Sequence, residues 1–124
     1  MNIVDSSGWL EYFADGENAS FFAPVIEDTE NLIVPVLVIY EVFKRLMVLR
    51  DEQTALVFIG DMNQGQLADL TASIALHAAK LSTELKLAMA DSMILATARA
   101  HNADLWTQDA DFERIDGVKY IAKD

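Results

Sequence analysis

A series of short apolar segments, at residues 2–5, 32–34, 67–70, 105–106 and 118–121, constrains this chain more than any other feature. Stretches of helical period lie between them. Short buried strands alternating with helices specify an α/β fold with a central, mainly parallel sheet. The first strand is expected to end in Asp5, with Ser6 or Ser7 capping a helix through Phe13. A second helix, capped by Ser20, should reach about Glu27, with Pro24 in or near its first turn. Pro35 opens a long helix over 36–49, a position where its fixed φ helps and its missing N–H costs nothing. Further helices are predicted over 53–61, with Leu56, Val57 and Ile59 as its apolar residues, and from a Thr71 cap to about Leu85. Another occupies the stretch after Leu87 and stops at His101-Asn102, where Asn102 suits a left-handed cap. One helical turn over 111–115 precedes the last strand.

At 124 residues the chain is long enough for one sizeable core, and residues 1–124 read as a single domain. A hydrophobic fraction of 52% with 23% charged residues describes an ordered, soluble protein. No apolar run approaches the roughly 18 residues of a membrane span. The first residues carry no signal-peptide pattern, and the absence of cysteine fits the cytoplasm. Net charge is −11, and no Lys or Arg precedes Lys44. Most of that charge is a solvated acidic surface. Carboxylates set among apolar residues need a different account.

Asp91 is the clearest of these. Ile94, Leu95 and Ala98 stand at i+3, i+4 and i+7 from it and share its helix face. A carboxylate on a buried stripe is costly unless its charge is compensated. Asp109 follows a late strand and Asp5 the first one, so both belong at the carboxyl edge of a parallel sheet, where such folds bind ligands. Glu41 lies near Leu37, Val38 and Val48 on its helical wheel. The four acids can therefore converge in one cleft, with Ser6 and Thr107 supplying hydroxyls beside Asp5 and Asp109. Two charges about 4 Å apart repel by roughly 4 kcal/mol at an effective dielectric of 20, so a cluster of this kind raises carboxylate pKa values or holds a cation. Oxygen donors without cysteine or paired histidines favour Mg²⁺ or Mn²⁺ over zinc. Such a site suits metal-assisted hydrolysis of phosphodiesters. Each acid also has a plain structural role open to it. Asp5 can end a strand, Glu41 can pair with Arg45, Asp91 can favour a helix N-terminus, and Asp109 can shape the turn before Asp111.

Taken in order, Val4-Asp5-Ser6-Ser7, Tyr40-Glu41-Val42, Ala90-Asp91-Ser92-Met93-Ile94-Leu95-Ala96-Thr97-Ala98 and Trp106-Thr107-Gln108-Asp109-Ala110-Asp111-Phe112 resemble the motifs of PIN-domain ribonucleases, and within them VapC-type toxins of toxin–antitoxin pairs. The likeness spans essentially the whole chain. It departs from the family after Asp91, where Ala-Leu-Ile-Ala is frequent and Ser92-Met93-Ile94-Leu95 stands here. The resemblance implies a three-layer α/β/α fold and a Mg²⁺- or Mn²⁺-dependent endoribonuclease. In it Asp5, Glu41, Asp91 and Asp109 hold the metal and activate water, supported by Ser6, Thr107 and Asp111. It also implies a homodimer, and inhibition by a cognate antitoxin. With 20 acids against 9 bases, setting the four site acids aside still leaves a net of −7. RNA binding would therefore rest on the metal and on local bases such as Lys44, Arg45, Arg50 and Arg99. His77 and His101 stand alone on helix surfaces.

Two other readings compete. A catalytically silent PIN-like module would use an apolar inventory such as Phe21, Phe22, Phe43, Leu46 and Met47 to bind a partner, although core packing accounts for most of these residues. A phosphoacceptor receiver domain would need paired acids near the first strand and a lysine after a late one, and neither is clearly present.

Overall fold

Strand β1 (Asn2–Val4) is the centre of the molecule: in the computed structural model, which describes residues 1–124, it is hydrogen-bonded on both sides. Strand β2 (Leu32–Pro35) lies on one side, in register Ile3↔Ile33. Strand β4 (Asp104–Thr107) lies on the other, in register Ile3↔Leu105. The edge strands β3 (Gln66–Ala68) and β5 (Val118–Tyr120) complete a five-stranded sheet of order β3-β2-β1-β4-β5, every pairing parallel. Parallel sheets carry helices on both faces, so their inner strands are buried on both sides. Burial follows position here in that way: β2 is buried throughout, whereas edge strand β3 buries only Ala68.

Helices α1 (Ser6–Phe13), α2 (Ala19–Glu27), α3 (Val36–Leu49), α4 (Glu52–Met62), α5 (Ala72–Leu85) and α6 (Met89–Ala100) build the outer layers of the α/β/α fold. α5 packs along α6, α4 along α3, and α3 in turn touches α1 and α6. Ile3, Val4, Ile33, Val34, Ile94, Leu95 and Leu105 from sheet and helices form one continuous core. At roughly 25 cal/mol for each Å² removed from water, this shared core is what holds such short strands in place.

The helix over 36–49 begins after Pro35 as expected, Thr71 caps α5 by accepting from the Ile74 amide at 3.2 Å, and Asn102 takes a left-handed φ of 50° beyond α6. Several local details differ. The cap of α1 is Asp5, because its carboxylate already faces the free amides when β1 ends. Helix α2 starts at Ala19, so Ser20 is inside it and Pro24 stands exposed in the second turn. On α4 the buried residues are Ala55 and Met62, while Leu56 and Val57 face solvent. The stripe that packs runs through Ala55, Phe58, Ile59 and Met62, at i, i+3, i+4 and i+7, so of the expected apolar residues only Ile59 lies on it. The late helical turn is a 3₁₀ turn over Ala110–Phe112, a residue earlier than the spacing indicates, because Asp109 caps it. Phe22 and Leu46 are buried, and Met47 is exposed.

Candidate metal centre at the sheet switch point

Between β1 and β4 the chain order reverses: β1 leads outward through β2 to β3, and the later strands build on the opposite side. Helix α1 leaves β1 and the turn over Ala110–Phe112 leaves β4 there, at the carboxyl ends where sheets of this kind form a crevice. Asp5 leaves β1 at this point. Its amide donates to the Trp106 carbonyl at 3.1 Å, the last link of the β1–β4 ladder.

The Asp5 side chain is buried, 3% exposed, and held by three donors. Oδ1 accepts from the Ser7 hydroxyl at 2.7 Å and from the Gly8 amide at 3.0 Å, and Oδ2 accepts from the Thr107 hydroxyl at 2.6 Å. Burial pushes its pKa from 3.8 up to about 6, against the opposing pull of Thr107, Ser7 and Gly8, with the Asp109 charge adding to the rise. Thr107 is fully buried and works in both directions, since its oxygen also accepts from the Asp109 amide at 2.9 Å. Thr107 thus ties the backbone of Asp109 to the side chain of Asp5. The hydroxyl on Asp5 comes from Ser7; Ser6 instead lies by Glu41, whose charged form it favours.

Asp91 sits in the first turn of α6, whose Ala88 cap offers no side-chain acceptor. Asp109 and Asp111 close on it from the far side of the crevice, and carboxylate oxygens of all three lie within 4.8 Å of one another. Asp109 Oδ1 also accepts from the Asp111 amide at 2.9 Å, which brings the second acid round the 3₁₀ turn. Asp91 is pushed from 3.8 to about 6, first by burial and then by the charges of Asp109, Asp5, Glu41 and Asp111. All five acids therefore share one electrostatic environment. Glu41, from the middle of α3, is raised by burial, and its Oε1 is buried without any hydrogen-bond partner.

Three of the plain structural roles coexist with this convergence. Asp5 caps α1, Asp91 occupies a helix N-terminal turn, and Asp109 caps the turn before Asp111. Glu41 has no such role, because Arg45 is exposed and is not among the groups acting on it. No basic side chain is among the causes of the shifts at Asp5, Glu41 or Asp91. The excess negative charge is thus not neutralised from within. The mutually close oxygens are those of Asp91, Asp109 and Asp111, and Asp5 and Glu41 stand outside that set; three such carboxylates fit a hard divalent cation, which accepts several oxygen ligands. The donor set suits Mg²⁺ or Mn²⁺.

Of the bases, Lys44 and Arg45 stand one turn beyond Glu41 and border a groove of about 300 Å³ with it. Arg50 caps the end of α3. Arg99 lies two turns along α6 from Asp91, at the opposite end of that helix. His77 is exposed and His101 partly so, and neither joins the acids. Sequence reasoning missed Ser7, Gln108 and Asn18. Gln108 is buried, donates from Nε2 to the Ser7 carbonyl at 3.3 Å, and accepts from Asn18 Nδ2 at 2.9 Å. Only the position of Ser7 two residues after a strand-end Asp signals a role in advance.

An all-parallel α/β/α sheet with a carboxylate cluster at its switch point defines a class of acid-site domains. The chain belongs to the PIN-domain family, whose model matches residues 3–118. No curated protein matches it. Among solved structures, it is similar to a toxin–antitoxin complex from Klebsiella pneumoniae, at 23% identity and a TM-score of 0.80, covering 96% of each chain. It is similar to VapBC2 from Rickettsia felis bound to a promoter DNA fragment, at 15% identity and a TM-score of 0.75, covering 99% of this chain and 98% of that one. It also resembles VapC20 of Mycobacterium tuberculosis, a Sarcin-Ricin loop cleaving toxin, at 15% identity and a TM-score of 0.71, covering 90% and 92%. Identities this low establish the shared fold.

Proposed function

We propose that residues 1–124 act as a single PIN-like domain and a metal-dependent endoribonuclease of the VapC toxin type, in which Asp5, Glu41, Asp91 and Asp109 hold Mg²⁺ or Mn²⁺. The observation that carries this reading is the set of Asp91, Asp109 and Asp111 oxygens within 4.8 Å of one another on a PIN fold, and the buried, unpartnered Glu41 Oε1 supports it. When bound, the metal lowers the pKa of a water and offsets charge on the phosphoryl and leaving oxygens. The chain's own part is to hold the acids in place. Thr107, Ser7 and Gly8 fix both oxygens of Asp5, and the Asp109–Thr107 link sets the spacing of the β4 side. Asp111 joins the ligand set or orients Asp109. Lys44, Arg45, Arg50 and Arg99 are the bases proposed to meet RNA.

A cognate antitoxin is the proposed regulator and a homodimer the proposed assembly, both acting in the cytoplasm. Val48, Leu49, Leu56 and Val57 leave apolar surface exposed on α3 and α4, which supports coverage by a partner chain. No helix is long and apolar enough to cross a membrane.

The decisive test is cleavage of a mixed RNA pool with Mn²⁺ or Mg²⁺, compared with EDTA and with Asp91→Asn. The expected result is strand scission only with the ion and the intact acid. Cleavage that persists in EDTA, or in a folded Asp91→Asn protein, rules out the metal site. A folded protein with no cleavage under any condition favours the catalytically silent interaction module.

A further inference from the structure

The acid cluster explains how a phosphodiester could be attacked, but a chain of net charge −11 needs specific means of gripping RNA. Two grooves beside the cluster supply them. One, of about 390 Å³, is lined by Ser6, Ser7, Gln108, Arg45 and Lys123, with Glu11 among its other residues. The second, of about 400 Å³, is bordered by Ser7, Gln108, Asp109, Tyr120 and Lys123. The grooves share Ser7, Gln108 and Lys123, so together they form one path leading to Asp109. Arg45 also borders the groove that contains Glu41, which extends the path past a second acid.

Lys123 is far along the sequence from the other site residues, and a specific contact brings it here. Asn18 Nδ2 donates both to Gln108 Oε1 at 2.9 Å and to the Ala122 carbonyl at 3.1 Å. One amide thus fastens the segment after β5 to the loop that carries Asp109. Glu11 also borders the Arg45–Lys123 groove, and its Oε2 accepts from the Asn18 amide at 2.8 Å. Tyr120 stands in register with Thr107 on β5, at the other end of the path.

We infer that Arg45, Lys123 and Tyr120 form a track for single-stranded RNA across the acid cluster, with Arg45 and Lys123 on backbone phosphates and Tyr120 as a stacking platform for a base. The inference rests on the ribonuclease reading and adds to it the residues that hold the strand. Proteins that bind single strands combine a positive groove with aromatic side chains on which bases stack. Here the two bases share their grooves with Glu11 and Asp109, so the positive charge is local to Arg45 and Lys123, and Tyr120 supplies the aromatic beside Asp109. Sequence-specific RNA recognition mostly targets single-stranded segments, whose unstacked bases are free to meet an aromatic ring.

The test is fluorescence anisotropy with a labelled oligouridylate of about twelve residues, a length within the usual footprint of single-strand binders, on the full chain carrying Asp91→Asn so that the probe stays intact. Arg45→Gln combined with Lys123→Gln is expected to weaken binding at least about tenfold and to lower the slope of log affinity against log salt by about 1.4, the value for two single-strand phosphate contacts. Tyr120→Leu should weaken single-strand binding by roughly fivefold or more, with the salt slope unchanged. Lys80→Gln, on exposed α5 surface, serves as the control for net charge. Equal losses with Lys80→Gln, or unchanged binding in the Arg45/Lys123 variant, overturn the track. If the unmodified protein still cleaves RNA with Mn²⁺ in that case, the ribonuclease reading stands without it. Failure of the unmodified protein both to bind and to cleave removes both.

Discussion

Replacing Asp91 by Asn should make the metal-free protein more stable, an unusual outcome for a substitution in a site. Asp91 takes up its proton at about pH 6 in place of 3.8, through burial and the charges of Asp109, Asp5, Glu41 and Asp111. At about 1.36 kcal/mol for each tenfold change in proton affinity, that disfavours the ionised form in the fold by roughly 3 kcal/mol. The side chain is half-buried, so solvent screening reduces this to about 1–2 kcal/mol. Asn also gives up the attraction between a carboxylate and the first turn of α6, about 0.5 kcal/mol. A net gain of about 1 kcal/mol remains, or roughly 4 °C in Tm. The sign depends on pH. The folded protein binds the Asp91 proton more tightly than the unfolded chain does between pH 3.8 and about 6, so wild-type stability falls as pH rises through that window and then levels off. The advantage of Asp91→Asn should accordingly be complete at about pH 7.5 and nearly absent at about pH 4. With Mn²⁺ at about a hundred times its Kd the order should reverse, since binding adds about 2.7 kcal/mol to a protein that can hold the ion. Thermal melts in EDTA at both pH values, and in Mn²⁺ at the higher one, measure all three effects. Unchanged or lower stability of the variant at the higher pH in EDTA would show that Asp91 is only a helix N-terminal acid.

Thr107→Val removes the donor to Asp5 Oδ2 inside the core and should cost about 1–3 kcal/mol in urea unfolding, with Thr107→Ser restoring most of it; equal losses in both variants would assign the effect to packing. Gly8→Ala would place a Cβ 2.5 Å from Val4 Cγ1 and 2.7 Å from Phe22 Cε1. The overpacking should destabilise by about 1–3 kcal/mol and weaken Mn²⁺ binding in calorimetry by displacing the amide that holds Asp5. Asp5, like Asp91, releases its proton near pH 6, so Mn²⁺ affinity should fall steeply as pH drops from about 7 to about 5. A flat affinity across that range would exclude these two acids as ligands.

The alternation of apolar strands with helical patterns is enough to read the parallel sheet, and it places Asp5 and Asp109 at the carboxyl edge of that sheet. Asp91 is legible because its apolar neighbours repeat at helical spacing while it does not match them. The less legible parts depend on register between distant segments. Whether Ser6 or Ser7 meets Asp5 is decided by how α1 leaves β1, and both serines fit the local pattern. Asn18, Gln108 and Lys123 are ordinary polar residues until the loop after α1, the end of β4 and the segment after β5 meet. On α4, hydrophobicity misleads in part: Ile59 packs partly buried alongside Ala55, Phe58 and Met62, whereas Leu56 and Val57 remain on the surface.

The adjacency of β1 and β4 has a consequence for when the acid cluster is completed during synthesis. Asp5 emerges from the ribosome first, but Thr107, which completes its hydrogen bonding, is 102 residues behind it. β1 can pair with β2 early, and its other edge stays open until β4 arrives. Chains are made at roughly 5–20 residues per second, so for several seconds the nascent protein carries Asp5 and Glu41 without Asp109. The acid cluster stays incomplete until Asp109 has been made and β4 has paired with β1. Closing so long a loop adds little to this delay, because its cost grows only slowly with length; the order of synthesis therefore sets when the five acids first meet.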